Sequence, residues 1–217
     1  MAEERPALTI ADPAPLGLAA FALTTFVLST TNAFGESTAP LLGFFGFAVF
    51  YGGLAQFAAG MWEFRNRNTF GATAFGTYGG FWMGLAAFIG LVLLGKVASG
   101  DVPRTLGWIL LAFAIFNTYM LAWSARINVA VFGVFLTLEV TEILLFIGNF
   151  AGSAPGSGLV AVGGYVGILT ALVAWYASAA GVVNSMSEQP VLPVGRPLWK
   201  GTLAIGRSDR PLPRVEA

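Results

Sequence analysis

Six stretches of this chain are each long and apolar enough to cross a lipid bilayer, and together they leave little sequence for anything else. A transmembrane helix takes about 20 consecutive apolar residues. Residues 16–34, 40–62, 71–94, 103–125, 127–150 and 158–185 each reach about that length. Their apolar character runs all round each helix, without the polar face that a soluble helical domain of such lengths would need. Only 10% of the 217 residues are charged, against about 25% in ordinary soluble domains. The fold class is therefore an all-α, six-span membrane protein. It divides into a short N-terminal segment, 1–15, a six-helix membrane domain, 16–185, and a tail, 186–217, rich in proline and arginine and read as extended or disordered.

Proline placement supports these boundaries. Pro15, Pro40 and Pro103 fall at span starts, where a missing N–H costs nothing, and no proline falls in a span interior. Positive charge sets the orientation. Arg5, Arg65, Arg67, Arg126, Arg196, Lys200, Arg207, Arg210 and Arg214 lie on one side of a six-span chain, and only Lys96 and Arg104 on the other. Both termini are accordingly expected in the cytoplasm. The first 14 residues lack the basic and apolar regions of a signal peptide, so insertion is expected to rely on the first span. Gly80 and Gly84 form a GxxxG pair, and Ala55 and Ala59 repeat the small spacing one helix earlier. Both are expected to let helices pack closely.

The same composition removes whole classes of chemistry. There is no cysteine and no histidine, so thiolate nucleophiles, disulfides and the commonest metal ligand are absent. Eleven basic residues balance eleven acidic ones, which leaves no basic footprint for nucleic acid. No metal cluster, cofactor loop or activated nucleophile is visible, and no enzyme activity is expected. What remains is polar residues inside the spans, where each needs a partner or a purpose. Span one carries Thr24, Thr25, Ser29 and Asn32; span two Gln56; span three Thr73, Thr77 and Tyr78; span four Asn117, Thr118 and Tyr119; span five Thr137, Glu139, Thr141, Glu142 and Asn149. A threonine can bond back to its own helix, so the set carries more weight than any member. It would suit a narrow path for a small polar solute.

Several motifs, in order and at consistent spacing, are similar to those of one family. "DPAPLGL" at Asp12, Pro13, Ala14, Pro15, Leu16, Gly17 and Leu18 resembles the N-P-A-P-L-G-L signature of the acetate uptake transporters, also called succinate–acetate permeases. "FYGGLAQFAAGMWEF" (50–64), "NTFGATAFGTYGGFW" (68–82), "IGNFAG" (147–152) and "VLPVG" (191–195) continue the match over about residues 11–195. The resemblance implies a six-helix protomer with a pore through each subunit, a homohexamer in the cytoplasmic or inner membrane, and passage of acetate or, in some members, succinate, by proton symport or as a channel. It places the narrowest constriction on Phe21, Tyr78 and Leu138. A hydrophobic neck of that kind blocks hydrated ions by dewetting. It also places Thr24, Thr25, Asn32, Gln56 and Asn149 on matching polar positions of the path, and Ala174 on a small position in the sixth span that bears on dicarboxylate use.

Two features depart from the pattern. Asp12 stands where the signature has asparagine; either can cap the helix that follows, but an aspartate would repel a carboxylate at the mouth. Glu139 and Glu142 stand where the family carries a small polar and an apolar residue. Three apart on a helix, they are expected to share an environment. Burial and mutual repulsion both favour the protonated form, so the pair is expected to hold at least one proton. Three roles stay open: carrying a proton in the pore, fixing a subunit interface, or turning selectivity away from anions. The function expected is transport of acetate or a related small carboxylate. The alternatives are a channel for ammonium or a neutral solute, or a membrane sensor or scaffold.

Overall fold

The computed structural model describes residues 10–35 and 38–199, and every long element among them is a helix. In chain order these are α1 (Ala14–Phe34), α2 (Thr38–Val49), α3 (Gln56–Arg65), α4 (Thr69–Leu93), α5 (Val102–Ser124), α6 (Val129–Phe150) and α7 (Gly158–Ser185). α2 and α3 are one span joined by a π-helical turn, Phe50–Ala55, which gives six membrane-crossing helices. Only a helix or a closed barrel satisfies every backbone group inside a bilayer, and this chain takes the first route. Most span ends lie within about a turn of the sequence reading, and Gly158–Ser185 coincides with it.

The ends are set by local chemistry. Pro15 and Pro103 sit in the first turns of α1 and α5. Asn68 and Asn128 cap α4 and α6, their Oδ1 atoms accepting from the Gly71 and Val131 amides at 3.0 and 2.8 Å. Gly35 ends α1 in the left-handed region, at φ 65°. The π-helical turn was not foreseen. Its cause is a close approach: a Cβ on Gly52 would lie 2.5 Å from the Thr24 side chain, and one on Gly53 would lie 2.6 Å from Met83 Cγ. The chain widens its turn where α1 and α4 crowd it.

α1 runs through the middle of the bundle and packs chiefly on α7, with α2 and α3 on another side; α7 packs on α6, α6 on α5, and α3 on α4. Large apolar side chains such as Ile115, Leu136, Ile143, Leu169 and Leu172 point outward, as a lipid-facing surface requires. The GxxxG pair does not pack within the protomer, since Cβ atoms on Gly80 and Gly84 would meet nothing within 4 Å. The close contact of α3 with α4 runs instead through Gly60 and Gly79, whose missing Cβ atoms leave room for the facing backbone at Gly76 and Phe57.

The tail after α7 is extended but anchored. Asn184 Oδ1 accepts from the Val191 and Leu192 amides at 2.7 and 3.0 Å. Tyr176 donates to the Pro193 carbonyl at 2.6 Å, and the Ala130 amide donates to the Val194 carbonyl at 2.9 Å. Trp199 stacks on Trp123 with ring centroids 6.1 Å apart, and Arg126 lies 5.3 Å over the Trp199 ring. Of the two readings of the tail, extended or disordered, residues 186–199 take the extended one, as a strap tied across the end of the bundle that holds the start of α6. Residues 200–217 and 1–9 lie outside the described residues, and with them Arg5, Lys200, Arg207, Arg210 and Arg214.

Candidate functional site

Three cavities follow one another through the bundle. At the end that carries the strap, one of about 500 Å³ is lined by Asp12, Asn66, Asn68, Phe135, Asn184 and Val194 among others. At the opposite end, one of about 430 Å³ is lined by Thr31, Asn32, Phe88, Leu110, Leu145 and Asn149 among others, mostly apolar. Between them lies a cavity of about 40 Å³, walled by Phe21, Thr25, Ser29, Tyr78, Trp82, Leu138, Thr141 and Glu142, with Asn32 and Leu145 shared with the wider space beyond. The profile is an hourglass.

The neck is built by helical register. Phe21 and Thr25 are four apart on α1, Tyr78 and Trp82 four apart on α4, and Leu138 and Glu142 four apart on α6, so each pair stacks on one face. Phe21 meets the Tyr78 ring edge-on, with centroids 5.8 Å apart. Tyr78 is held by Phe81, Phe113 and Phe116, with centroids 6.4, 5.8 and 5.5 Å away. The structure thus brings together Phe21, Tyr78 and Leu138, the three residues expected at a constriction.

The two glutamates part company. Glu142 is buried, with 4% of its surface exposed, and faces the neck one turn beyond Leu138. Its Oε1 lies 3.2 Å from the Tyr78 hydroxyl. Glu139 turns towards α5, where Asn117 Nδ2 donates to its Oε2 at 2.7 Å and the Thr118 hydroxyl donates to its Oε1 at 2.7 Å. Thr118 is exposed, so this end of the cluster reaches the outer face of the bundle. Asn117, fully buried, joins the halves. It receives the Tyr78 hydroxyl on Oδ1 at 3.1 Å, and its Nδ2 also donates to the Phe135 carbonyl at 3.0 Å. The expectation of one shared environment for Glu139 and Glu142 is corrected. A three-residue step turns the helix about 60° short of a full turn, enough to place one carboxyl at the neck and the other in the α5–α6 seam.

The other sequence-derived residues divide as well. Thr25 and Asn32 line the neck, and Asn149 lines the far cavity, with its Nδ2 bonded back to the Leu145 carbonyl at 2.8 Å. Thr24 does not reach the neck: its hydroxyl bonds back to the Ala20 and Phe21 carbonyls at 2.8 and 3.2 Å, and the side chain fills the notch at Gly52. Gln56 is buried at the end of the π-helical turn, with Oε1 unpartnered. Ala174 packs in the apolar cluster that holds Phe21, Tyr78 and Leu138. Neither lines any of the three cavities. Asp12 lines the strap-end mouth, and its Oδ1 accepts from the amide of Ala14, the first residue of α1, at 3.0 Å; the N-cap position itself is Pro13, without a side-chain cap. The rest of the 12–18 motif is packing: Gly17 lets the Phe75 ring approach α1, and the Pro15 carbonyl accepts from Ser178 at 2.7 Å.

The model of the GPR1/FUN34/yaaH family matches residues 2–196. The chain belongs to this family. It is the family, known for acetate transport, whose motifs residues 12–18, 50–64 and 68–82 resemble. Among GPR1/FUN34/yaaH proteins, the ammonia transport outward protein 2 of Saccharomyces cerevisiae is 40% identical over 187 residues, covering 84% of this chain and 65% of the yeast protein. The succinate-acetate/proton symporter SatP of Escherichia coli K12 is 35% identical over 188 residues, covering 86% of this chain and 96% of that protein. The solved structure of the bacterial acetate channel SatP matches with a TM-score of 0.79 at 34% identity, covering 86% of this chain and 100% of that one. The chain thus spans nearly all of bacterial SatP, but 65% of the length of two Saccharomyces cerevisiae relatives.

In this GPR1/FUN34/yaaH protein, sequence reading counted Asn117 and Thr118 among the polar residues of a path without giving either a role of its own, and passed over Trp82. A signal existed for each. Asn117 and Thr118 are the polar pair in the middle of span four, and an isolated amide amid "FAIFNTYML" needs a partner. Trp82 follows Tyr78 by one turn and shares its face.

Proposed function

We propose that this chain transports acetate or a similarly small carboxylic acid, succinate included, across the cytoplasmic membrane. The observation that carries the reading is the hourglass: two cavities of about 500 and 430 Å³ separated by one of about 40 Å³ whose walls are Phe21, Tyr78 and Leu138. A neck of that size and apolarity strips water from whatever enters and so rejects hydrated inorganic ions. Thr25 and Asn32 offer hydrogen bonds to a small polar group at the narrowest point, and Asn149 offers one beyond it. Thr24, Gln56 and Ala174 serve behind the wall, as the packing that fixes its diameter. The likeness to SatP, a succinate-acetate/proton symporter and acetate channel by its names, supports the substrate class. Both termini in the cytoplasm accord with the distribution of positive charge, and a homohexamer is the assembly that the family resemblance implies. No covalent step is involved.

The test is labelled-acetate uptake into proteoliposomes. Saturable uptake above that of protein-free vesicles, competed by unlabelled acetate, is the expected result. Uptake equal to that of empty vesicles contradicts the reading. A second reading, ammonium passage, is favoured by the Glu142 carboxyl in the neck and by the yeast ammonia transport relative. Ammonium flux without acetate flux would establish it.

A further inference from the structure

Five buried side-chain polar atoms among the described residues have no hydrogen-bond partner, and three of them, Thr25 Oγ1, Trp82 Nε1 and Glu142 Oε2, belong to residues that wall the 40 Å³ cavity at the neck. Buried polar atoms are nearly always satisfied, and an orphan inside a bilayer is more costly still. The three are chemically complementary. The indole N–H only donates, and the hydroxyl both donates and accepts.

The role of Oε2 follows from counting hydrogens. Asn117 Nδ2 spends both of its hydrogens, on the Phe135 carbonyl and on Glu139, which turns Oδ1 towards Tyr78. The Tyr78 hydroxyl has one hydrogen and two oxygen neighbours, Asn117 Oδ1 at 3.1 Å and Glu142 Oε1 at 3.2 Å. Both contacts are hydrogen bonds only when Tyr78 donates to Asn117 while Glu142 Oε1 carries a proton and donates to Tyr78. Oε2 is then the carbonyl oxygen of a carboxylic acid, an acceptor without a donor. The titratable groups facing Glu142 are Tyr78 on α4 and, through Asn117, Glu139 on α6. Among the described residues, α1 brings Thr25 and Ser29 to the neck; behind its wall stand Asn117 on α5 and Thr170 on α7, bonded to Tyr78 and to Thr141 at 3.1 Å each. None supplies a positive charge.

Resting on the carboxylate-transport reading, the geometry points to the neck as a binding site for an undissociated carboxylic acid, whose hydroxyl donates to Glu142 Oε2 and whose carbonyl accepts from Trp82 Nε1 or the Thr25 hydroxyl. An anion offers acceptors alone and meets Oε2 lone pair against lone pair. An ammonium ion satisfies Oε2 but accepts nothing from the indole. The protein therefore passes the acid in neutral form, one proton with each molecule and no net charge, and Glu142 sets that choice.

Labelled-acetate uptake by the reconstituted full chain, at fixed total acetate between about pH 5 and pH 8 and with protein-free vesicles subtracted, tests this directly. The rate is expected to fall about tenfold per pH unit across the range where the undissociated fraction does so, and to ignore an imposed membrane potential. Glu142→Leu is expected to lower the rate about tenfold, and Glu142→Gln, which keeps a donor for Tyr78 and an oxygen for the cavity, to recover it to within about threefold. Acetate flux that is driven by an inside-positive potential and indifferent to pH overturns this inference alone. So does a Glu142→Leu rate equal to wild type. Absence of acetate flux alongside ammonium flux overturns the transport reading together with it.

Discussion

The neck and the α5–α6 seam each hold one of two glutamates set three residues apart on the same helix, and they treat them differently. At the neck, Glu142 is buried among aromatic rings, with one oxygen on Tyr78 and the other unpartnered towards the passage. In the seam, Glu139 is half-buried, and both its oxygens have partners on α5: Oε2 accepts from Asn117, and Oε1 bonds to the Thr118 hydroxyl, which also meets the Ala114 carbonyl at 2.8 Å. The difference separates two uses of an acid inside a membrane. A carboxyl with all its partners supplied by the fold is a structural joint. A carboxyl with an oxygen left over, in a cavity, is available to a solute. Asn117 couples the two uses, because a single amide orients the Tyr78 hydroxyl on one side and the Glu139 carboxyl on the other.

That contrast can be broken at several points, with effects that fall in order. Phe21→Ala removes a wall of the neck and leaves a hole in the larger cluster. It is expected to cost about 3 kcal/mol, the low end for a buried phenylalanine, and to raise the flux of succinate relative to acetate, read in thermal unfolding and competition uptake. Asn117→Leu strands Tyr78 and Glu139 together. A loss of about 2 kcal/mol is expected from the unpaired groups, with a fall in acetate flux as the Tyr78 hydroxyl loses its orientation. If unfolding is unchanged, the network is not intact in the membrane. Glu139→Gln keeps acceptor capacity in the seam, so a loss of about 1 kcal/mol or less is expected, with acetate flux within about twofold of wild type. A flux loss as large as that of Glu142→Leu would put both acids at the neck. Thr118→Val, at the exposed rim, is expected to change stability by about 0.5 kcal/mol at most.

Much of this was legible in the sequence. The six spans follow from apolar length, and their starts from Pro15 and Pro103. The neck residues Phe21, Tyr78 and Leu138 came from the family resemblance. The structure brings these three together, though composition alone would have left the two aromatics as ordinary core. The π-helical turn at Phe50–Ala55 was not legible, because its cause is the Thr24 side chain and Met83 pressing on Gly52 and Gly53 from other helices. The separation of Glu139 from Glu142 was hidden for a similar reason. Helical geometry gives the angle between two side chains but not which neighbour stands at each, and α5 supplies that neighbour. The anchoring of the strap was likewise hidden in its composition, since it is tied through main-chain carbonyls, at Ala125, Pro193 and Val194, and through side chains that lie outside it, Tyr176 and Asn184 on α7 among them.

The claim on which the distinction between neck and seam rests is that Glu142 carries a proton of its own. Infrared spectroscopy of the reconstituted protein at neutral pH reads it directly, through the carbonyl stretch of a protonated carboxylic acid. The band is expected in the wild type, to lose intensity in Glu142→Gln and to keep its Glu142 component in Glu139→Gln. A band that disappears with Glu139→Gln and persists in Glu142→Gln would contradict the account.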